Sequence, residues 1–364
     1  MRIFFTFIAV FSSHFLWAGP LFNQFDGVRP TGMGNAFIAL SDDANSLWYN
    51  PAGLAQIEKF HANIFDFTIG VDSKDTLSRI KNSIFNGESG KLIRQDKEFL
   101  RFNFIPSIIL PHFGVSLFSQ TQGYFDFSDV LNSGFEAKAF HDQGLIVGGA
   151  VAFNDYLSLG ASVRAFYRGS VEMVLTSQEA IDQYGADAAN LINNIYQEVS
   201  NQARHGYGFG FNAGARLNVP LKSKGKNSPR LFLAATVDDL GNTTLKPIGE
   251  HLAPNSLKQS LNFGGALIYP FANRWSWNLT ADVRHAFEAT DFIKLFHAGT
   301  ELRNSVFGIR AGANQGYLTY GLSLEFPPHT RLHFSSYGVE LGHKSFEKQQ
   351  RWYLLQLNVG FNPN

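Results

Sequence analysis

Between residues 206 and 219 the sequence reads GYGFGFNAGARLNV, and every second side chain is apolar: Tyr207, Phe209, Phe211, Ala213, Ala215, Leu217 and Val219. The alternate positions are Gly206, Gly208, Gly210, Asn212, Gly214, Arg216 and Asn218. A period of two puts each set on its own face of a β-strand. Residues 275–287 repeat the pattern, with Trp275, Trp277, Leu279, Ala281 and Val283 against Ser276, Asn278, Thr280, Asp282 and Arg284, and 318–326 and 353–361 do the same. Whole faces are Phe, Tyr, Trp and Leu, while the opposite faces are polar or glycine. Apolar outside with polar inside is the pattern of a transmembrane barrel strand.

Composition agrees with a lipid-facing surface. Aromatic residues make up 15% of the 364 positions and charged residues only 16%, against about a quarter charged in an ordinary soluble domain. Thirty basic side chains balance 30 acidic ones, so there is no basic footprint for a nucleic acid. The absence of cysteine excludes a disulfide scaffold, a thiolate zinc site, a cysteine nucleophile and a lipidated N-terminal cysteine. The 11 histidines show no metal-binding spacing, and neither a metal nor a cofactor is expected. The glycines of GFGFNAG alternate along a strand with no helix after them, unlike a phosphate-binding loop. His333 and Ser335 share a strand face, but an i, i+2 pair arises readily by chance, and the chain is expected not to be an enzyme.

The N-terminus MRIFFTFIAVFSSHFLWA has a basic residue, a short apolar run and a small residue at Ala18. It reads as a signal peptide over 1–18. No later stretch is long and apolar enough for a membrane-spanning helix, so a membrane location requires a barrel. Fourteen candidate strands fall near 58–70, 99–110, 113–122, 136–153, 156–175, 204–219, 230–239, 258–271, 275–287, 293–303, 305–313, 317–326, 331–342 and 351–361. Connections after even strands are mostly short, whereas those at 71–98, 123–135, 176–203 and 240–257 are long. Short turns on one side and long loops on the other are the asymmetry of a bacterial outer-membrane barrel. The expected fold class is therefore all-β, a 14-stranded antiparallel transmembrane β-barrel over 58–364.

Two long loops carry helical spacing. Residues 177–202 place Ile181, Tyr184, Ala188, Leu191, Ile195 and Val199 at intervals of three and four, which predicts an amphipathic outer helix. Ile181, Tyr184, Leu191 and Ile195 are candidates for capturing a hydrophobic ligand, although any docked helix would bury the same residues. A weaker pattern at 72–88 predicts a second outer helix.

Ahead of the first strand, residues 29–55 read RPTGMGNAFIALSDDANSLWYNPAGLA. Arg29-Pro30 predicts a turn, Ser41 an N-cap for a brief helix from Asp42 to Trp48, and Asn50-Pro51-Ala52-Gly53 its end. A module this small cannot build its own core, and the barrel lumen is the available container. This places a small N-terminal plug, or hatch, at 19–57. Gly32-Met33-Gly34-Asn35-Ala36, Asp42-Asp43-Ala44 and Asn50-Pro51-Ala52-Gly53-Leu54-Ala55 together resemble the N-terminal signature of the FadL/TodX long-chain fatty acid transporter superfamily. The same set is similar to the related PorV and PorQ branch, linked to secretion and surface attachment.

The resemblance implies passive uptake of hydrophobic compounds such as fatty acids through a barrel inserted by the assembly machinery. It makes Gly32, Gly34, Asp42, Asp43, Asn50, Pro51 and Ala52 the gating or ligand-binding set of the hatch. The alternative from the second branch is a barrel that binds or anchors secreted protein partners. A polar lumen packed by the plug would favour that alternative, and an apolar lumen the transporter.

Overall fold

The computed structural model describes residues 21, 23–73, 97–126, 135–176, 178–179, 182, 202–221, 228–271, 274–326 and 329–361. Its strands are β1 (His61–Val71), β2 in two pieces (Lys97–Phe104 and Ser107–Leu110), β3 (Phe113–Asp126), β4 (Phe135–Ala152), β5 (Leu157–Leu175), β6 (Arg204–Val219) and β7 (Arg230–Asp238). They continue as β8 (Ser260–Phe271), β9 (Trp275–Val283), β10 (Phe296–Arg303), β11 (Phe307–Asn314), β12 (Tyr317–Phe326), β13 (Thr330–Glu340) and β14 (Gln349–Phe361). Each pairs antiparallel with the next, and β14 pairs with β1 from Ala62 opposite Phe361 to Val71 opposite Tyr353. The result is a closed 14-stranded barrel.

Alternation sets which side faces out. On β12, Leu318, Tyr320 and Leu322 are exposed while Thr319 and Ser323 are buried. On β9, Trp277 is exposed and Asn278, Thr280 and Asp282 are buried. Leu322 sits opposite Ile309 on one side and Phe334 on the other, and all three point outward. Every backbone donor and acceptor at membrane depth needs a partner, and only a closed ladder supplies one in a sheet.

The strand predicted over 99–110 is broken at Ile105-Pro106, because proline has no N–H for the ladder. The neighbours bridge the break: Ile105 N donates to the Asp66 carbonyl at 2.9 Å and Leu117 N to the Pro106 carbonyl at 3.1 Å.

Strand lengths are uneven around the wall. β4 and β5 pair from Ala152 opposite Ser158 to Phe135 opposite Leu175, about 45 Å of height at the tilt usual for barrels. β10 and β11 have 8 residues each, or about 20 Å. β11 and β12 are joined by Gln315-Gly316, both with positive φ, as a two-residue hairpin turn requires.

The helix expected over 72–88 lies outside the described residues, apart from 72–73. At the start of the second, Thr176 and Glu179 form a reciprocal capping pair, with Thr176 N donating to Glu179 Oε2 at 2.9 Å and Glu179 N to Thr176 Oγ1 at 3.3 Å. This is an N-terminal helix signature, and Gln178, Glu179 and Asp182 are helical.

Replacing Leu322 by Arg puts a charge in the outward column beside Ile309 and Phe334. It should destabilise the barrel by about 2–4 kcal/mol, read from reversible urea unfolding in lipid vesicles.

Candidate functional site: a lumen crossed by the N-terminal segment

Residues 23–57 run inside the barrel. Helix α1 (Val28–Gly32) leads to a compact turn, then α2 (Ser46–Tyr49) and a 3-10 turn over Pro51–Gln56. Met33, Phe37, Ile38, Leu40, Leu47 and Trp48 are buried against Ile109, Phe118, Ile146, Phe166 and Phe232 of the wall. The small module thus borrows its core from the strands around it.

Hydrogen bonds fix it to many sides of the lumen. Asp282 on β9 accepts from the backbone N–H groups of Phe37 and Ile38 at 2.6 and 2.9 Å. Thr319 on β12 accepts from Gly34 N at 2.9 Å and donates to the Gly32 carbonyl at 3.2 Å. His297 on β10 bonds the Gly34 carbonyl at 2.8 Å, and Ser162 on β5 donates to the Leu47 carbonyl at 3.0 Å.

The strongest tie is ionic. Arg29 meets Glu301 of β10 through two bonds, Nε to Oε1 at 2.9 Å and Nη2 to Oε2 at 2.6 Å. The same guanidinium holds Asp42 at 2.5 Å and Asp43 at 2.7 Å. Arg310 of β11 donates to Glu301 from the other side at 2.7 Å. Burial alone would raise the Asp43 carboxyl, but the Arg29 charge and the hydrogen bonds from Arg29 and Asn45 together leave Asp43 below the usual carboxylate range.

All seven predicted hatch residues lie in this segment. Gly32 approaches Gly321 so closely that a Cβ would fall 2.9 Å from the Gly321 Cα, and Gly34 has φ +67° with wall carbonyls against it. Asp42 and Asp43 serve Arg29. Asn50 donates to the Ile38 carbonyl at 2.9 Å and accepts from Ala52 N at 3.0 Å, so it ties one half of the segment to the other. Pro51 and Ala52 rest against Gly160 of β5.

Two local expectations were displaced. Ser41 is not an N-cap: its hydroxyl donates back to the Phe37 carbonyl at 2.8 Å, and the helix starts at Ser46 after Asp43 Oδ1 accepts from Asn45 N at 2.9 Å. Arg29-Pro30 lies in the first turn of α1, where proline's missing donor costs nothing.

Sequence reasoning missed Arg29, Asp282, Glu301, Arg310 and Thr319. The last four sit on inward faces of strands whose other face is apolar, and an inward carboxylate or guanidinium there was a readable signal. Of the capture residues, Ile181, Tyr184, Leu191 and Ile195 all lie outside the described residues. Ser335 Oγ pairs with Thr31 Oγ1 at 2.8 Å, so the segment occupies that hydroxyl. No metal-binding cluster occurs among the described residues.

Two of the cavities bordering the segment lie on opposite sides of it. The outer one, about 270 Å³, has Phe25, Trp48 and Tyr49 as its floor, with Arg164, Asp238 and Arg284 among its walls. The inner one, about 140 Å³, lies toward the short turns and is bordered by Arg29, Asp43, Asp66, Arg303 and Arg331.

Solved structures match this architecture. The CymD monoaromatic hydrocarbon channel aligns over 96% of this chain and 99% of its own, at 12% identity and a TM-score of 0.53. The toluene transporter TbuX of Ralstonia pickettii aligns over 96% and 100%, at 14% identity and a TM-score of 0.51. A deltaS2 mutant of the TodX monoaromatic hydrocarbon channel covers 93% and 99%, at 15% identity and a TM-score of 0.50. The fold is that of these hydrocarbon and toluene channels. No family model matches the chain, and no curated protein sequence matches it either.

Glu301→Gln should leave Arg29 and Arg310 facing each other across a neutral group, at a cost of about 3 kcal/mol. Hydrogen exchange of residues 28–57 should accelerate while that of the outward strand faces is unchanged.

Proposed function

We propose that the protein is an outer-membrane channel for passive uptake of hydrophobic compounds, with aromatic hydrocarbons and long-chain fatty acids as the substrate classes to test. Residues 23–57 act in it as a hatch. The observation that carries this reading is the placement of that segment between an outer and an inner cavity, inside a barrel with the fold of hydrocarbon channels. A ligand would settle on the aromatic floor of the outer cavity and pass when the segment shifts. With no energy-coupling element in the proposal, flux runs down a gradient. Such a shift must break the Arg29–Glu301 pair, so the network sets the population of the open state.

A second reading has one specific observation in its favour. The lumen around the segment is charged and hydrogen-bonded, as expected of a PorV-like barrel that anchors secreted protein partners. The floor of the outer cavity is nonetheless aromatic, and on that ground the channel is placed first.

Uptake of radiolabelled toluene and oleate into cells producing the barrel separates the two. The channel reading expects uptake above vector controls, abolished or made constitutive when Asn50-Pro51-Ala52 is replaced. Planar-bilayer recordings should show rare openings for the native chain and at least several-fold more for Glu301→Gln. Uptake equal to the control for both compounds, with silent bilayers for both proteins, would remove the channel reading in favour of the second.

A further inference from the structure

The outer cavity is not the receptor that a bare hydrocarbon needs. Arg284 follows directly on β9, is only 5% exposed, and lines the cavity with its guanidinium 5.1 Å from the centre of the Tyr49 ring. Its Nε and Nη1 are buried without a partner. Asp238, at the end of β7, lines the same cavity. One of its oxygens accepts from Asn262 Nδ2 at 2.9 Å, and the other, Oδ1, is buried and unpaired.

Most polar groups nearby bond one another, although Arg164 Nε is buried without a partner and Lys258 and Glu288 also border the cavity. Arg164 pairs with Asp239 at 2.6 Å, and Thr243 donates to the same carboxylate oxygen at 2.6 Å. His285 sits between Ser260 Oγ and Asn23 Oδ1, each at 3.0 Å. Burial, helped by the charge of Arg284, pushes the His285 imidazole down to about 3, so it stays neutral. Arg284 and Asp238 are a cation and a carboxylate at this cavity that each keep unpaired buried polar atoms. No ion pair joins them among the described residues, although they border one cavity.

Buried polar atoms are normally satisfied, and a donor and an acceptor left open at one cavity mark a place for something else to complete. Water could complete them, but the floor beneath is aromatic: Phe25 stacks on Trp48 at 4.8 Å, and Tyr49 packs edge-on to Phe25 at 6.2 Å. A molecule that meets both halves has a flat apolar body and a head with opposite charges close together.

We propose that the outer cavity selects a small zwitterion with an aromatic body, its carboxylate facing Arg284 and its ammonium facing Asp238. This rests on the channel reading and narrows the substrate from hydrophobic compounds in general to aromatic amphiphiles of the amino-acid type. A hydrocarbon would leave both charges unpaired, and a simple carboxylic acid would leave Asp238 unpaired. Binding depends on the pair of charges and the floor together, and each contribution can be removed separately.

The test is calorimetry on the full chain in lipid nanodiscs, with L-phenylalanine, 3-phenylpropanoate and toluene as probes. The expected result is that L-phenylalanine binds at least tenfold more tightly than the other two. Arg284→Met should lower its affinity and that of 3-phenylpropanoate about tenfold while leaving toluene unchanged. Asp238→Asn should weaken L-phenylalanine alone, and it carries the test if Arg284→Met fails to give a heat-modifiable, folded barrel. Toluene or 3-phenylpropanoate binding as tightly as L-phenylalanine, or Asp238→Asn without effect, would overturn the inference. Absence of L-phenylalanine binding while toluene or oleate still enters cells would sink the inference and leave the channel standing. Absence of both would remove the channel reading as well.

Discussion

The pairing of β14 with β1 is the constraint on which the rest depends. In hydrocarbon an unpaired backbone amide has no water to turn to, so a sheet can cross only when its last strand closes onto its first. Once closed with fourteen strands, the sheet encloses more space than its own side chains fill; about eight strands is where side chains alone suffice. The chain supplies the missing filling from its N-terminal side. The filling is polar where the lumen is polar, through Arg29, Asp42 and Asp43. It is apolar where the wall offers Ile109, Phe118, Ile146 and Phe232.

That division of labour explains how the seat is built. On β10 to β12, Gly299, Gly312 and Gly321 receive the backbone of Met33, Gly34 and Gly32 at distances no side chain would permit. On the opposite wall Gly160 and Gly214 receive Pro51, Ala52 and Asn50. The ionic contacts are buried and carry a desolvation cost, which only good geometry and further hydrogen bonds offset. Glu301 meets that condition by accepting from Arg29, Arg310 and Asn278 together.

The strands were legible because lipid forces a period of two on every one of them. Their positions along 204–219 and 317–326 coincide with the observed strands, while the strand expected over 275–287 ends at Val283. Loop parity was legible for the same reason, since both termini of the barrel must lie on one side. The break at Pro106 could have been read from the proline itself, and the helix start at Thr176 from the glutamate three residues on. The partners of Arg29 could not. Glu301 is 272 residues away, and no local pattern says which inward charge will face which. Arg284 was legible as a polar-face residue of the strand expected over 275–287, but that it shares a cavity with Asp238 was hidden likewise, since no local pattern says which inward charges border one space.

The uneven wall has a consequence for how a molecule reaches the opening. Polar groups stand on the outer side of β3 and β4 above their lower halves, with Thr121 bonded to His141 and Gln143 exposed, and in a membrane such a belt belongs beyond the apolar layer. On the β10 to β12 side the strands are shorter, at 8 to 10 residues. The mouth is therefore cut on a slant. A solute skimming the outer leaflet meets the low lip at headgroup depth, while one arriving through bulk water faces a screen on one flank and an open approach on the other.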